Sequence, residues 1–204
     1  MTLPLRAHGI CFAYDGVDVL HDVDAALEPG VVTAIVGANG SGKSTLAEIL
    51  AGVRAPRAGR VERPGDVALV VQRAAVPEAL PLTVREVAQM GTWRRRLPRR
   101  KARARAEAAL GRVGLEDLAR RSFHALSGGQ RQRALIAQGI AQDAPVMILD
   151  EPAAGLDAES RARVRRILAD EAARGRAIGW VTHDEEDVRA ADRLIHLAAG
   201  RRVA

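Results

Sequence analysis

The sequence predicts an α/β fold: a mostly parallel sheet, an antiparallel β subdomain at the N-terminus, and a helical subdomain inserted at about residues 83–126. Three observations point there. Short apolar runs fit for strands buried on both faces recur at Val31–Val36, Val67–Val71 and Val146–Leu149, with helical patterns between them. The first thirty residues alternate apolar and polar positions around an Asp15-Gly16 turn, an antiparallel hairpin signal. From Thr83 to about Arg121 the pattern is helical and polar, broken at Gly91, Pro98 and Gly114.

The remaining elements follow in order. Pro29-Gly30 closes the hairpin, Val31–Val36 is the first buried strand, and Ser44–Ala51 continues as a helix ending near Gly52. Residues 53–66 hold Pro, Gly and Arg and are expected to be a connection. Val67–Val71 is a strand with Gln72 just past its end. Residues 131–142 predict a helix, Val146–Asp150 a strand, and Ala158–Arg174 a charged helix with Glu159 and Arg163 at four-residue spacing. Ile178–Val181 is a further strand ending near His183.

At 204 residues with 48% hydrophobic composition, the chain can bury one ordinary core, and a single domain over residues 1–204 is expected. The apolar runs are far shorter than a membrane span, and the N-terminus lacks the apolar core of a signal peptide, so a cytoplasmic location is expected. A lone cysteine, Cys11, excludes an internal disulfide and a multi-cysteine zinc site. The net charge of +6 rests almost entirely on arginine, Lys43 and Lys101 being the only lysines. Its densest run, Arg94–Arg105, suits nucleic acid or anionic lipid, or is a solvated helical face interrupted by Pro98. Aromatics for stacking bases are few, so nucleic acid is not expected as a partner.

The chemistry begins at Gly37-Ala38-Asn39-Gly40-Ser41-Gly42-Lys43-Ser44-Thr45, a G-x-x-x-x-G-K-[ST] loop between a buried strand and a helix. Its glycines let the backbone wrap phosphates, Lys43 can reach the β/γ oxygens, and Ser44 can bind Mg²⁺. The α/β core is therefore expected to be a P-loop NTPase core. In Val146–Glu151 four apolar residues deliver Asp150 and Glu151 to the carboxyl end of a strand, where sheets of this class bind ligands. Beside the loop they form a hydrolysis site, Asp150 toward Mg²⁺ and Glu151 toward the attacking water. A second phosphate-facing turn, Ser127-Gly128-Gly129-Gln130, opens into a helix.

Tyr14, "GANGSGKST", Gln72, "LSGGQ", "VMILDEP", "AAGLD" and His183 occur in the order and context of ATP-binding cassette (ABC) ATPases, and the chain resembles that family over its whole length. The resemblance implies that Tyr14 stacks on adenine and residues 37–45 hold the triphosphate of ATP. It gives Ser44, Gln72 and Asp150 to Mg²⁺, and Glu151 as general base. Gln72 would sense the γ-phosphate, His183 would contact it, and Asp157 would organise a subunit contact. It also implies head-to-tail pairing, as a homodimer or with a second ABC subunit, in which residues 127–130 serve the partner's nucleotide. Ala153 and Ala154 stand where a hydroxyl residue is common, which leaves no side-chain hydrogen bond there.

Within the family, repair and chromosome members carry coiled coils or zinc-binding cysteines between the motifs, and translation members join two cassettes. Here about fifty-five residues separate Gln72 from Ser127, one cysteine is present, and there is one cassette. A transporter energy subunit is expected, peripheral on the inner membrane face, working with a membrane permease and an extracytoplasmic solute-binding protein. Ending soon after "HLAAGRRVA", the chain is not expected to carry a C-terminal regulatory domain. "VVQRAAVPEALPLTVREVAQMG", residues 70–91, resembles zinc/manganese importer ATPases at Arg73, Pro81, Thr83, Val84, Val87, Met90 and Gly91. Import of such a metal as cargo is the expectation. The alternatives are another small transporter, such as a haem exporter, or a nucleic-acid-associated ABC ATPase.

Overall fold

The computed structural model describes residues 3–71 and 80–203; Gln72 and Arg73 lie outside the described residues. Strands β1 (Leu5–Tyr14) and β2 (Val17–Leu27) form the expected hairpin across Asp15-Gly16. β3 (Val32–Val36) leads through the glycine loop into α1 (Lys43–Ala51), which Gly52 ends in the left-handed conformation. Residues 53–66 are not merely a connection. Ala58–Glu62 forms β4, which pairs antiparallel with β1 and completes a three-stranded sheet β2-β1-β4. Its residues are mostly exposed, so the apolar pattern that marks a strand is missing.

β5 (Val67–Val70) precedes the helical insert, which contains α2 (Val84–Met90) and α3 (Arg99–Arg112). α4 (Gly128–Ala141), β6 (Val146–Asp150), α5 (Ala158–Ala173), β7 (Ala177–Val181), α6 (Glu185–Arg189), β8 (Arg193–Ala198) and β9 (Arg201–Val203) follow. The second sheet runs β5-β6-β7-β3-β8-β9, parallel except for the final β8–β9 pair. β3 thus lies in its middle, with β7 on one side and β8 on the other.

Two cores cover the two faces of this sheet. Val146 and Ile148 face one way, packing with Leu46, Ile49 and Leu50 of α1 and with Leu5, Ile10 and Leu27 of the antiparallel sheet. Met147 and Leu149 alternate to the other face, with Trp180 of β7, Ile136 and Ile140 of α4, and Val164 and Leu168 of α5. Both sets are almost fully buried, and at about 25 cal/mol per Å² of apolar surface each such side chain contributes roughly 1.5–3 kcal/mol. α1 is consequently wedged between two sheets, which fixes the glycine loop at its N-terminus.

The insert joins the second core through Val84, Val87, Leu110 and Phe123. α2 is started by a capping box: Thr83 Oγ1 accepts from the Glu86 amide at 3.3 Å, and Glu86 Oε2 accepts from the Thr83 amide at 2.8 Å. The Thr83 hydroxyl, donating to Glu86 Oε2 at 2.7 Å, and the Thr83 amide hold the Glu86 carboxyl below the usual carboxylate range. Gly91 follows α2 because a Cβ there would collide with the Gln138 carbonyl of α4.

Candidate nucleotide site

The glycine loop is shaped by backbone that side chains would obstruct. Gly42, the residue before α1, has φ 97°, and a Cβ on it would lie 2.6 Å from Leu20 Cδ2. No side chain caps this helix, so its first amides are left for an outside acceptor. Ser41 Oγ is buried in the loop without a hydrogen-bond partner. An orphan hydroxyl beside uncapped amides is the donor set an oxyanion would satisfy. Lys43 is buried and donates 2.9 Å bonds to the Gly37 and Ala38 carbonyls. The ammonium is thereby folded onto its own loop, close to where a phosphate would enter it.

Ser44 Oγ donates to Asp150 Oδ1 at 3.1 Å, so the loop and the end of β6 meet as sequence order alone could not show. These are two hard oxygen donors, the type Mg²⁺ takes alongside substrate phosphates and water. Burial pushes the Asp150 carboxyl above the usual carboxylate range, helped by the charges of Glu151 and Glu48; the Ser44 hydrogen bond and Lys43 oppose the rise. A bound cation would reverse the main cause.

Glu151 has φ 46°, a left-handed conformation that costs a non-glycine residue about 1 kcal/mol or more. Its amide donates to the Val181 carbonyl at 3.0 Å, tying it to the end of β7. There His183 Nδ1 lies 3.5 Å from Glu151 Oε1. His183 is largely exposed (64%), but its neighbours are fixed. The Thr182 amide donates to Ile35, its hydroxyl donates to Asp187 at 2.9 Å, and Asp187 pairs with Arg165 at 2.9 Å. A cleft of about 60 Å³ separates this corner from the 153–155 turn. That turn is closed by backbone bonds from Ala154 to Glu151 and from Leu156 to Ala153, so no hydroxyl is needed there.

Tyr14, at the end of β1, is 36% exposed, and its hydroxyl lies 3.5 Å from Thr45 Oγ1 at the start of α1. The ring therefore stands beside the loop. Phe12 meets it edge-on at 4.9 Å. Arg54, held by Glu48, places its guanidinium 4.9 Å from the Tyr14 ring centre. Sequence reasoning missed Arg54, because nothing in its spacing links it to Tyr14.

The Ser127–Gln130 stretch is not a free turn before a helix at 131. α4 begins at Gly128, and Ser127 is its N-cap. Gln130 Oε1 accepts from the Ser127 amide at 3.0 Å, and Ser127 Oγ accepts from the Gln130 amide at 3.3 Å. The start of α4 abuts the start of α5: a Cβ on Gly129 would collide with Ser160 Oγ. Ser160 in turn donates its amide to Asp157, the N-cap of α5, at 2.7 Å. Among the described residues no hydrogen bond joins 127–130 to the glycine loop. The structure therefore brings Tyr14, residues 37–45, Asp150, Glu151 and His183 toward one place, and sets Ser127–Gln130 against the start of α5 at Asp157 and Ser160.

The family model for ABC transporters matches residues 20–154, two thirds of the chain. The chain belongs to the ABC transporter family. It is accordingly an ATP-binding, ATP-hydrolysing ABC subunit. Among its relatives, the zinc import ATP-binding protein ZnuC of Cereibacter sphaeroides is 41% identical over 201 residues, covering 97% of this chain and 79% of the relative. The nickel import ATP-binding protein NikO of Rhodobacter capsulatus is 36% identical over 224 residues, covering 98% and 88%. An inward-facing metal-chelate type ABC transporter shares the fold at TM-score 0.89 and 30% identity, over 100% of this chain and 82% of that one. A bacterial ABC transporter cassette in a dimeric structure matches at TM-score 0.85 and 25% identity, over 98% and 97%.

Proposed function

We propose that this ABC ATPase powers import of a divalent metal, zinc or manganese in class, through a separate membrane subunit fed by an extracytoplasmic solute-binding protein. The observation carrying the cargo is the similarity to ZnuC over 97% of this chain. The residues resembling metal importers at Thr83, Val84, Val87, Met90 and Gly91 support it. The described helices include none long and apolar enough to cross a membrane, in keeping with a peripheral subunit on the cytoplasmic face.

In this reading Lys43 leaves its loop carbonyls for the β/γ-phosphate oxygens, and the uncapped amides of α1 hold the phosphates. Ser44 and Asp150 would hold Mg²⁺, which would supply positive charge against those oxygens. The family resemblance gives Gln72 to the same Mg²⁺ shell. Glu151 takes the proton of the attacking water, and His183 steadies the γ-phosphate. Tyr14 stacks on adenine. Ser127–Gln130 and Asp157, which have no hydrogen bond to the glycine loop among the described residues, face the nucleotide of a second cassette. The dimeric structure of a similar cassette supports such pairing.

The test is reconstitution with the neighbouring membrane subunit in vesicles. ATP-driven uptake of radioactive zinc or manganese, lost in Glu151→Gln with ATP binding retained, is the expected outcome. Glu151→Gln should slow hydrolysis about 10²–10⁴-fold, the usual weight of a general base. Uptake of nickel or haem in place of zinc and manganese would overturn the cargo assignment.

A further inference from the structure

The nucleotide chemistry leaves residues 93–101 unexplained. Eight cations lie in 94–105 without a carboxylate among them. Some are neutralised in the fold: Arg94 lies 3.8 Å from Asp66, Arg95 and Arg105 share Asp143, and Arg103 pairs with Glu107 at 2.9 Å. Arg96, Arg99, Arg100 and Lys101 are exposed and have no carboxylate within 4.0 Å among the described residues. Three of these four occupy the first turn of α3, where neither an acidic residue nor a side-chain cap is present. Cations at that end oppose the helix dipole, so the folded chain gains nothing from placing them there. Beside them Trp93 is 67% exposed, against 1% for Trp180.

An exposed tryptophan next to unpaired cations matches the chemistry of a bilayer surface, where the indole sits among headgroups and cations meet anionic lipid. The run also adjoins a cleft of about 250 Å³ lined by Val70, Val71, Met90, Gly91 and Arg94. Two of its lining residues, Met90 and Gly91, are among those that resemble metal importers, and under the proposed function these face the membrane subunit. We propose that Trp93 and the cations Arg96, Arg99, Arg100 and Lys101 rest on the anionic inner leaflet, setting the ATPase against the membrane beside its permease. The proposal rests on that placement of the permease surface. The exposed Trp93 indole beside these cations favours lipid over an acidic protein segment, because the headgroup region of a bilayer takes both.

The full chain, without permease, is mixed with vesicles of phosphatidylcholine alone or with added phosphatidylglycerol. Binding should require the anionic lipid and fall sharply at about 0.5 M salt, where screening is short-ranged. The emission of Trp93 should shift to the blue on binding and be quenched by brominated lipid. Trp180 is already buried, so Trp93→Phe should abolish the shift. Arg99→Gln/Arg100→Gln/Lys101→Gln should weaken partitioning about 100-fold, and the matching Arg→Lys changes at 99 and 100 should not. ATPase activity of these variants should stay normal, which also shows that they fold. Equal binding to neutral vesicles, no spectral shift, or an unaffected triple variant would overturn the proposal. So would binding to poly-glutamate but not to vesicles, which would make the patch a docking face for an acidic segment. The permease placement is scored separately: Met90→Asp should abolish transport in the complex while leaving vesicle binding intact.

Discussion

The starts of α1 and α4 are both glycine-rich helix N-termini, yet they are built in opposite ways. At α1 the cap is Gly42, no side chain accepts from the helix amides, and Lys43 is folded over the opening. At α4 a serine and a glutamine close a capping box, which occupies the amides of Ser127 and Gln130 and leaves those of Gly128 and Gly129 outside it. The first end is incomplete without an anion. The second is already stable alone, and its glycines serve a close approach to Ser160 of α5 as much as to any ligand. Under the proposed pairing, one end holds this chain's own nucleotide and the other meets one brought by a second molecule.

The sharpest way to break this contrast combines two defects. Lys43→Ala and Ser127→Arg should each abolish ATP-dependent dimerisation and nucleotide occlusion. Mixed together, they leave one untouched site, formed by the Ser127→Arg chain's loop and the Lys43→Ala chain's α4 start. Occlusion in the mixture, measured as retained radioactive ATP, is expected; mixed dimers without occlusion would show that each α4 start serves its own chain.

Asp150→Asn gives a smaller and two-sided effect. Hydrolysis should fall at least as far as in Glu151→Gln, because an oxygen anion of the Mg²⁺ site is lost. The nucleotide-free protein should nonetheless melt at a higher temperature. The folded pKa of Asp150 is raised, so between its ordinary and raised values the folded state holds more proton than the unfolded. Stability from this group is therefore present at lower pH and is lost as pH rises through the folded value. An amide at this position does not titrate, so the Asp150→Asn variant should lose that dependence. A lower melting temperature at neutral pH would show that the Ser44 bond outweighs burial.

Ser127→Ala should have a modest consequence for folding, about 1 kcal/mol from loss of the α4 cap, measured by urea unfolding. Ser44→Ala, at an end without a side-chain cap, should leave the stability of the free protein nearly unchanged. Equal losses at the two positions would erase the distinction between them.

Motifs that combine residue type with fixed spacing are legible without coordinates: the loop at 37–45, the two acids after β6, and the 127–130 stretch. Strands buried on both faces are legible for the same reason, since Val32–Val36 and Val146–Asp150 have no polar alternation to blur them. β4 is not, because its exposed Arg60 and Glu62 are held by pairing to β1, a contact between distant parts of the chain. Propensity puts the start of α4 three residues late because two glycines argue against helix, whereas the Ser127–Gln130 box and packing on α5 override it.

By itself the sequence determined the chemistry of the loop, the phosphate-facing glycines and the acids at a strand end, because each depends on neighbours within a few residues. Only the tertiary structure decided which of these meet. It set Ser44 against Asp150, Glu151 against His183 and Arg54 over Tyr14, and it set the start of α4 against the start of α5. Those pairings span up to about a hundred residues and follow from strand order, with β3 inserted beside β7, and that order is fixed by burial on both faces of one sheet.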